Sequence, residues 1–239
     1  MAKGKLYLIP TTLGSETTQH VIPAEVAAFA IQLRHFAVEE IKTARRYLRK
    51  LDREFPIDDS QFFVINKRSI LEEVMPIIKV LESGVDVGII SEAGCPGIAD
   101  PGAELVAVAH QHGIHVHPFV GPSSILLTLI SSGFNGQEFA FHGYLPKDRK
   151  ERIKKIKDLE FNSNKFGITN LFMETPFRNN NMIEDLLNEL KDDSLLCIGS
   201  DLTNYNERVQ TMTVAEWREK AYNLDKIPAI YALGKFAIK

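Results

Sequence analysis

The residues whose types and spacing could do chemistry gather in one loop. Gly94, Gly97 and Gly102 punctuate the run Ser-Glu-Ala-Gly-Cys-Pro-Gly-Ile-Ala-Asp-Pro-Gly at 91–102. Glycines admit backbone angles closed to other residues and let a ligand approach the main chain, while Pro96 and Pro101 stiffen the connection. An apolar run (Val85, Val87, Ile89, Ile90) leads into this loop, and a helical pattern and a further strand over 114–119 follow it. A loop at the carboxyl end of a strand, opening toward a helix, is where open parallel sheets bind their ligands. The residues alone therefore predict a small-molecule site at the loop after Ser91.

Several chemistries are excluded by what is missing. The dinucleotide fingerprint G-x-G-x-x-G and the phosphate loop ending in Gly-Lys-Ser/Thr are absent, which disfavours a dehydrogenase or a conventional NTPase. No Ser-His-Asp order, His-Glu-x-x-His or paired-cysteine motif occurs. His110, His112, His115 and His117 fall at a helix end and at alternate strand positions rather than at ligand spacing, so no metal is expected. Cys95 and Cys197 read as small apolar residues.

With 239 residues and 44% apolar side chains the chain can build real cores. No stretch approaches the roughly 20 apolar residues of a membrane helix, and the first residues lack the layout of a signal peptide, so a cytoplasmic protein is expected. A net charge of −3 gives no general pull on nucleic acid; any such contact needs a local basic patch. Two runs could supply one: Lys42, Arg45, Arg46, Arg49 and Lys50, and the stretch 147–157. Each is equally readable as a solvated helix face.

The elements that must position these residues alternate. Strands are predicted at 5–9, 35–38, 62–65, 85–90 and 114–119, with helices over 25–33, 41–51 and 70–81, the last capped by Ser69 and closed by Gly84. That is the pattern of a parallel sheet with helices on both faces. A boundary at Gly121-Pro122 divides the chain into domains 1–120 and 121–239. The second half is predicted to hold a helix capped by Ser123 that runs to residue 132, a charged helix over 147–159, and helices over 180–190 and 214–221. Its strands fall at 139–142, 168–173, 195–199, 208–212 and 227–236. A tight turn at Asn206-Glu207 would make the middle pair antiparallel, giving a mixed α/β sheet.

At the glycine loop the chain resembles the tetrapyrrole methylase superfamily of S-adenosylmethionine-dependent methyltransferases. It is most similar to the branch that methylates a cytidine ribose 2′-oxygen in bacterial small-subunit ribosomal RNA. That branch's Ser-Asp-Ala-Gly-Thr-Pro and Ile-Ser-Asp-Pro-Gly are matched by Ser91-Glu92-Ala93-Gly94-Cys95-Pro96 and Ile98-Ala99-Asp100-Pro101-Gly102. Further collinear matches are Gly121-Pro122-Ser123-Ser124, Gly143-Tyr144-Leu145-Pro146 and Glu174-Thr175-Pro176-Phe177-Arg178. Departures fall elsewhere: Ala-Thr-Pro-Ile-Gly-Asn becomes Pro10-Thr11-Thr12-Leu13-Gly14-Ser15, and Ala-Glu-Asp-Thr-Arg-His becomes Val38-Glu39-Glu40-Ile41-Lys42-Thr43. Arg-Glu-Leu-Thr-Lys becomes Ser200-Asp201-Leu202-Thr203-Asn204, with loss of cations that could touch RNA phosphates.

The resemblance implies a two-domain tetrapyrrole-methylase-like α/β fold with S-adenosylmethionine in the cleft between domains. It implies cofactor contacts from Pro10, Ser91, Glu92, Ala93, Gly94, Ile98, Ser123, Ser124 and Met173. If the acceptor is a hydroxyl its proton must leave, and Glu174, Glu39, Glu40 and Glu92 are the candidate bases. Ribosomal RNA as partner and a homodimer are implied in the same way. A methyltransferase acting on a tetrapyrrole or other small molecule, and a non-catalytic cofactor-binding module, remain alternatives.

Overall fold

The structure is a computed structural model that describes residues 2–66 and 71–237. It divides into two compact units, 1–123 and 124–239. The first is a parallel sheet of β1 (Leu6–Ile9), β2 (His35–Val38), β3 (Gln61–Val64), β4 (Val87–Ile90) and β5 (Val116–Pro118), in the order β3-β2-β4-β1-β5. Its helices are α1 (Ala24–Ala30), α2 (Ile41–Leu51), α3 (Leu71–Glu82) and α4 (Ala103–Gln111).

Strand alternation explains why both faces need covering. Leu6, Ala37, Val87 and Ile89 point one way, into a core with Val74, Ile77, Ile78 and Leu81 of α3 and Leu105 and Ala109 of α4. Tyr7, Ile9, Phe36, Val38 and Ile90 point the other way, onto Ala30 of α1 and Ala44, Tyr47 and Leu48 of α2. Each such side chain, fully buried, contributes roughly 1.5–3 kcal/mol.

The second unit holds α5 (Ser124–Ser132), β6 (Phe139–Tyr144), α6 (Arg149–Phe166), β7 (Thr169–Glu174), α7 (Asn179–Glu189), β8 (Leu195–Ser200), β9 (Arg208–Thr213), α8 (Val214–Arg218) and β10 (Ala229–Gly234). Its sheet runs β6-β7-β10-β8-β9, parallel only between β6 and β7. One face packs Phe172, Ile198 and Tyr231 against α6, α7 and Trp217 of α8. The other packs Leu171, Cys197, Ile230 and Ala232 against Leu129 of α5. At Gly199 a Cβ would lie 2.4 Å from Thr128 Oγ1, so only glycine lets α5 sit this close to β8. The expected α/β architecture, a parallel sheet followed by a mixed one, is present. Among the described residues no helix is long and apolar enough to cross a membrane.

Several boundaries differ from expectation. Helix α1 stops at Ala30 rather than 33, because Gln32 and Leu33 donate to Phe29 and Ala30 in tighter three-residue turns. Helix α6 starts at Arg149, where Asp148 Oδ1 accepts from the Glu151 amide at 3.0 Å, and runs on to Gly167, whose φ of 71° ends it. Helix α8 is five residues long and starts on a Thr213–Glu216 capping box. The β8–β9 pair is antiparallel, but Ser200 opposes Arg208, so residues 201–207 form the connection in place of a tight turn at Asn206-Glu207. Asp201 and Thr203 take left-handed angles within it. Ser69 and Ile70, expected to start α3, lie outside the described residues.

Three cations of the basic run of the second unit, Arg149, Arg152 and Lys157, are paired. Asp185 of α7, buried, accepts from Arg149 Nε at 2.9 Å and Arg152 Nε at 2.8 Å, and Lys157 pairs with Glu189 at 2.8 Å. Those cations of α6 hold α7 in place.

Candidate functional site: three loops at the carboxyl edge of the first sheet

Because the first sheet is parallel, the chain leaves β1, β4 and β5 at the same edge, and β4 and β5 flank β1. The loops that follow are joined by their own backbones. The Gly94 carbonyl accepts from the Thr11 amide at 2.9 Å and from the Ser91 hydroxyl at 3.0 Å. The Cys95 thiol lies 3.5 Å from the Pro122 carbonyl, and a Cβ on Gly121 would fall 2.1 Å from Pro10 Cβ. The Tyr47 hydroxyl of α2 donates to the Pro10 carbonyl at 2.7 Å, and burial drives its phenol far above the ordinary range.

Pro10, Ser91, Glu92, Ala93, Gly94 and Ile98 are thus brought together on one edge, with Ser123 ending the same unit. Ser91 spends its hydroxyl inside the loop. Ala93 and Ile98 are exposed, and Gly97 (φ 81°) has nothing closer than 4.0 Å where a Cβ would stand. At Gly94 (φ 72°) the space is filled by protein: a Cβ would meet Leu13 at 3.1 Å and the Pro122 carbonyl at 3.2 Å. Gly94 therefore lets the three loops join closely. Ser124 and Met173 belong to the second unit, as the first residue of α5 and a half-buried member of β7.

The four candidate carboxylates separate into distinct situations. Glu40 caps α2, its carboxylate accepting from the Lys42 amide at 3.0 Å and the Thr43 hydroxyl at 3.4 Å. Glu174, 5% exposed at the end of β7, accepts through one oxygen from the Thr175 amide at 2.6 Å and from Arg178 Nε at 3.1 Å. It holds the turn after its own strand. Glu39 is half-buried beside Glu92. Burial raises the pKa of Glu92, a hydrogen bond from Thr43 opposes the rise, and the negative charges of Glu39, Glu40 and Asp100 add to it.

A pocket of about 180 Å³ opens among these loops, walled by Thr11, Thr43, Arg46, Lys50, Ser91 and Glu92. Thr43, Arg46 and Lys50 share one face of α2 at three- and four-residue spacing, which picks Arg46 and Lys50 out of the basic run read in the sequence. Of the clustered histidines, His112 pairs with Glu82 at 2.9 Å, and His117 packs on Phe119 and Tyr7.

A protein with this pair of units has a solved counterpart. The methyltransferase CobJ matches 98% of this chain and 95% of its own with a TM-score of 0.63, at 16% sequence identity, so the two share a fold. No protein-family model matches the sequence. Among curated proteins, ribosomal RNA small subunit methyltransferase I of Vibrio cholerae is 30% identical over 213 residues, 88% of this chain and 69% of that protein. The Bacillus subtilis protein of the same name is 30% identical over 215 residues, 89% and 68% of the two chains. The chain belongs to the ribosomal RNA small subunit methyltransferase I family.

Proposed function

We propose that this protein transfers a methyl group from S-adenosylmethionine to the ribose 2′-oxygen of a nucleotide in small-subunit ribosomal RNA. The observation that carries the reading is the family membership, at 30% identity over 88% of the chain. The loop chemistry agrees with it: open backbone at Gly97 and exposed apolar Ala93 and Ile98 suit a ligand with a flat ring and a thioether-like chain. Pro10, Ser91, Glu92, Ala93, Gly94, Ile98 and Ser123 of the first unit, with Ser124 and Met173 of the second, are the residues we assign to holding it.

When bound, S-adenosylmethionine supplies a methyl group on a positively charged sulfur, open to in-line displacement. The chain's part is alignment, which alone is worth several powers of ten, and disposal of the hydroxyl proton. The proton of the acceptor hydroxyl would pass to a carboxylate of the chain. Glu92 is our choice for that carboxylate, with Glu39 as neighbour, because it stands exposed in the wall of the pocket at the glycine loop, where desolvation and the neighbouring carboxylates raise its pKa. Glu40 and Glu174 are positioning residues in this scheme, each occupied with backbone amides. A homodimer and a cytoplasmic location rest on the resemblance; sedimentation of the pure protein tests the first.

The deciding experiment incubates the protein and labelled S-adenosylmethionine with ribosomal small subunits, free RNA and small metabolites. Label on a ribose 2′-oxygen of the small-subunit RNA is the expected result. Label in the metabolite fraction alone would overturn the RNA reading.

A further inference from the structure

The pocket on the first unit has a charge pattern that the methyl donor does not need. Arg46 and Lys50, one helical turn apart on α2, present two cations to a space whose opposite wall is Ser91 and Glu92 of the cofactor loop. Arg46 is exposed and forms no ion pair among the described residues, whereas Arg45 lies over the Phe62 ring at 5.4 Å and the Arg49 guanidinium donates to the Arg53 carbonyl at 2.9 Å. Among the described residues Lys50 donates to one group, the Ser15 carbonyl at 3.3 Å, so an ammonium with three donors has capacity left. Thr11, 4% exposed in the same wall, carries a buried hydroxyl oxygen with no partner among the described residues.

Size and place narrow the ligand. A volume of about 180 Å³ is below the roughly 300–1,000 Å³ of sites that engulf a whole small molecule, so it suits one group of a larger ligand. Two cations and flanking hydroxyls suit a tetrahedral anion. Glu92 and its carboxylate neighbours repel a second anion on their side, which orients the ligand with its charge toward α2. We propose that Arg46 and Lys50 form a subsite for one backbone phosphate of the RNA acceptor strand, holding that strand so that a neighbouring ribose lies at the cofactor loop. This rests on the RNA reading above and adds the contact that seats the substrate.

The test uses the full chain and three probes: inorganic phosphate followed by phosphorus line broadening, a short single-stranded RNA titrated at several salt concentrations, and S-adenosylmethionine by calorimetry. In the double variant Arg46→Gln/Lys50→Gln, phosphate broadening should disappear and RNA affinity at low salt should fall roughly tenfold. The slope of log affinity against log salt should drop by about 0.7 to 1.4, for one or two lost counterions. Affinity for S-adenosylmethionine should not change. Arg45→Gln, which removes one positive charge from the same helix outside the pocket, should leave all three readings as they were. Equal losses in Arg45→Gln would mean diffuse charge and overturn the subsite. A loss of S-adenosylmethionine affinity with an unchanged salt slope would give the pocket to the cofactor's carboxylate instead. Phosphate binding without RNA binding would overturn the acceptor-strand assignment. Methylation of ribosomal RNA by the unaltered protein is scored separately, so a working enzyme with an unaffected salt slope in the double variant refutes the subsite alone.

Discussion

At the scale of single residues, carboxylates at the ends of different strands stand in different physical states. Glu40 and Glu174 are consumed by amide, hydroxyl and guanidinium donors, while Glu92, exposed, has its pKa raised by desolvation and by the negative charges of Glu39, Glu40 and Asp100. For Glu92 the folded chain binds a proton more tightly than the unfolded chain does. Its contribution to stability is therefore greatest in acid and declines as pH rises through the ordinary carboxylate range toward the folded value. Glu92→Gln carries no charge to crowd. Its melting temperature should match the unaltered protein in acid and equal or exceed it at neutral pH, with turnover on RNA down by roughly 10². A variant that melts lower at neutral pH but keeps its activity would reverse both assignments.

At the scale of elements, the pair α6 and α7 is fastened by Asp185, whose side chain is 2% exposed, to Arg152, whose side chain is 10% exposed. Removing the charge leaves the guanidinium of Arg152 buried without its counter-ion, which costs roughly 3–5 kcal/mol in such settings. Asp185→Asn should accordingly lower the denaturant midpoint sharply without altering the salt dependence of RNA binding; an unchanged midpoint would return α6 to a solvated face. This arrangement also marks where sequence reasoning stopped. The run at 147–157 was visibly basic, but that its charges answer Asp185 and Glu189 depends on a helix many residues away. Strand placement was legible because buried parallel strands read as short apolar runs, and α2 was legible to the residue because Glu40 and Asp52 bracket it. The end of α6 is not legible in this way: the charged pattern fades at residue 159, while the helix continues to Phe166 and ends at Gly167. Within the site, the glycine loop stood out by composition. The α2 face bearing Arg46 and Lys50 was hidden inside a run of like residues, only some of which face the loops.

At the scale of the whole molecule, each unit has its own sheet and a core on each face of it, and the loops around the pocket all lie within residues 1–123. That fragment should fold by itself, with a single cooperative thermal transition and dispersed amide resonances, and should retain phosphate binding; a molten fragment would show that the first cores need the rest of the chain. The two sheets also differ in when they can be finished. In the first, β4 enters between β2 and β1, which do not pair with each other, and β5, last in sequence, takes an edge, so the middle of that sheet is closed by residue 90. In the second, β10 lies in the middle, between β7 and β8. During synthesis, then, β7 and β8 leave the ribosome with open edges facing one another, and nothing can join them until residues 229–234 follow. The chemistry-bearing half of the chain is ready early, while its other half stays an unclosed template, exposed to wrong partners, for as long as translation takes to reach its central strand.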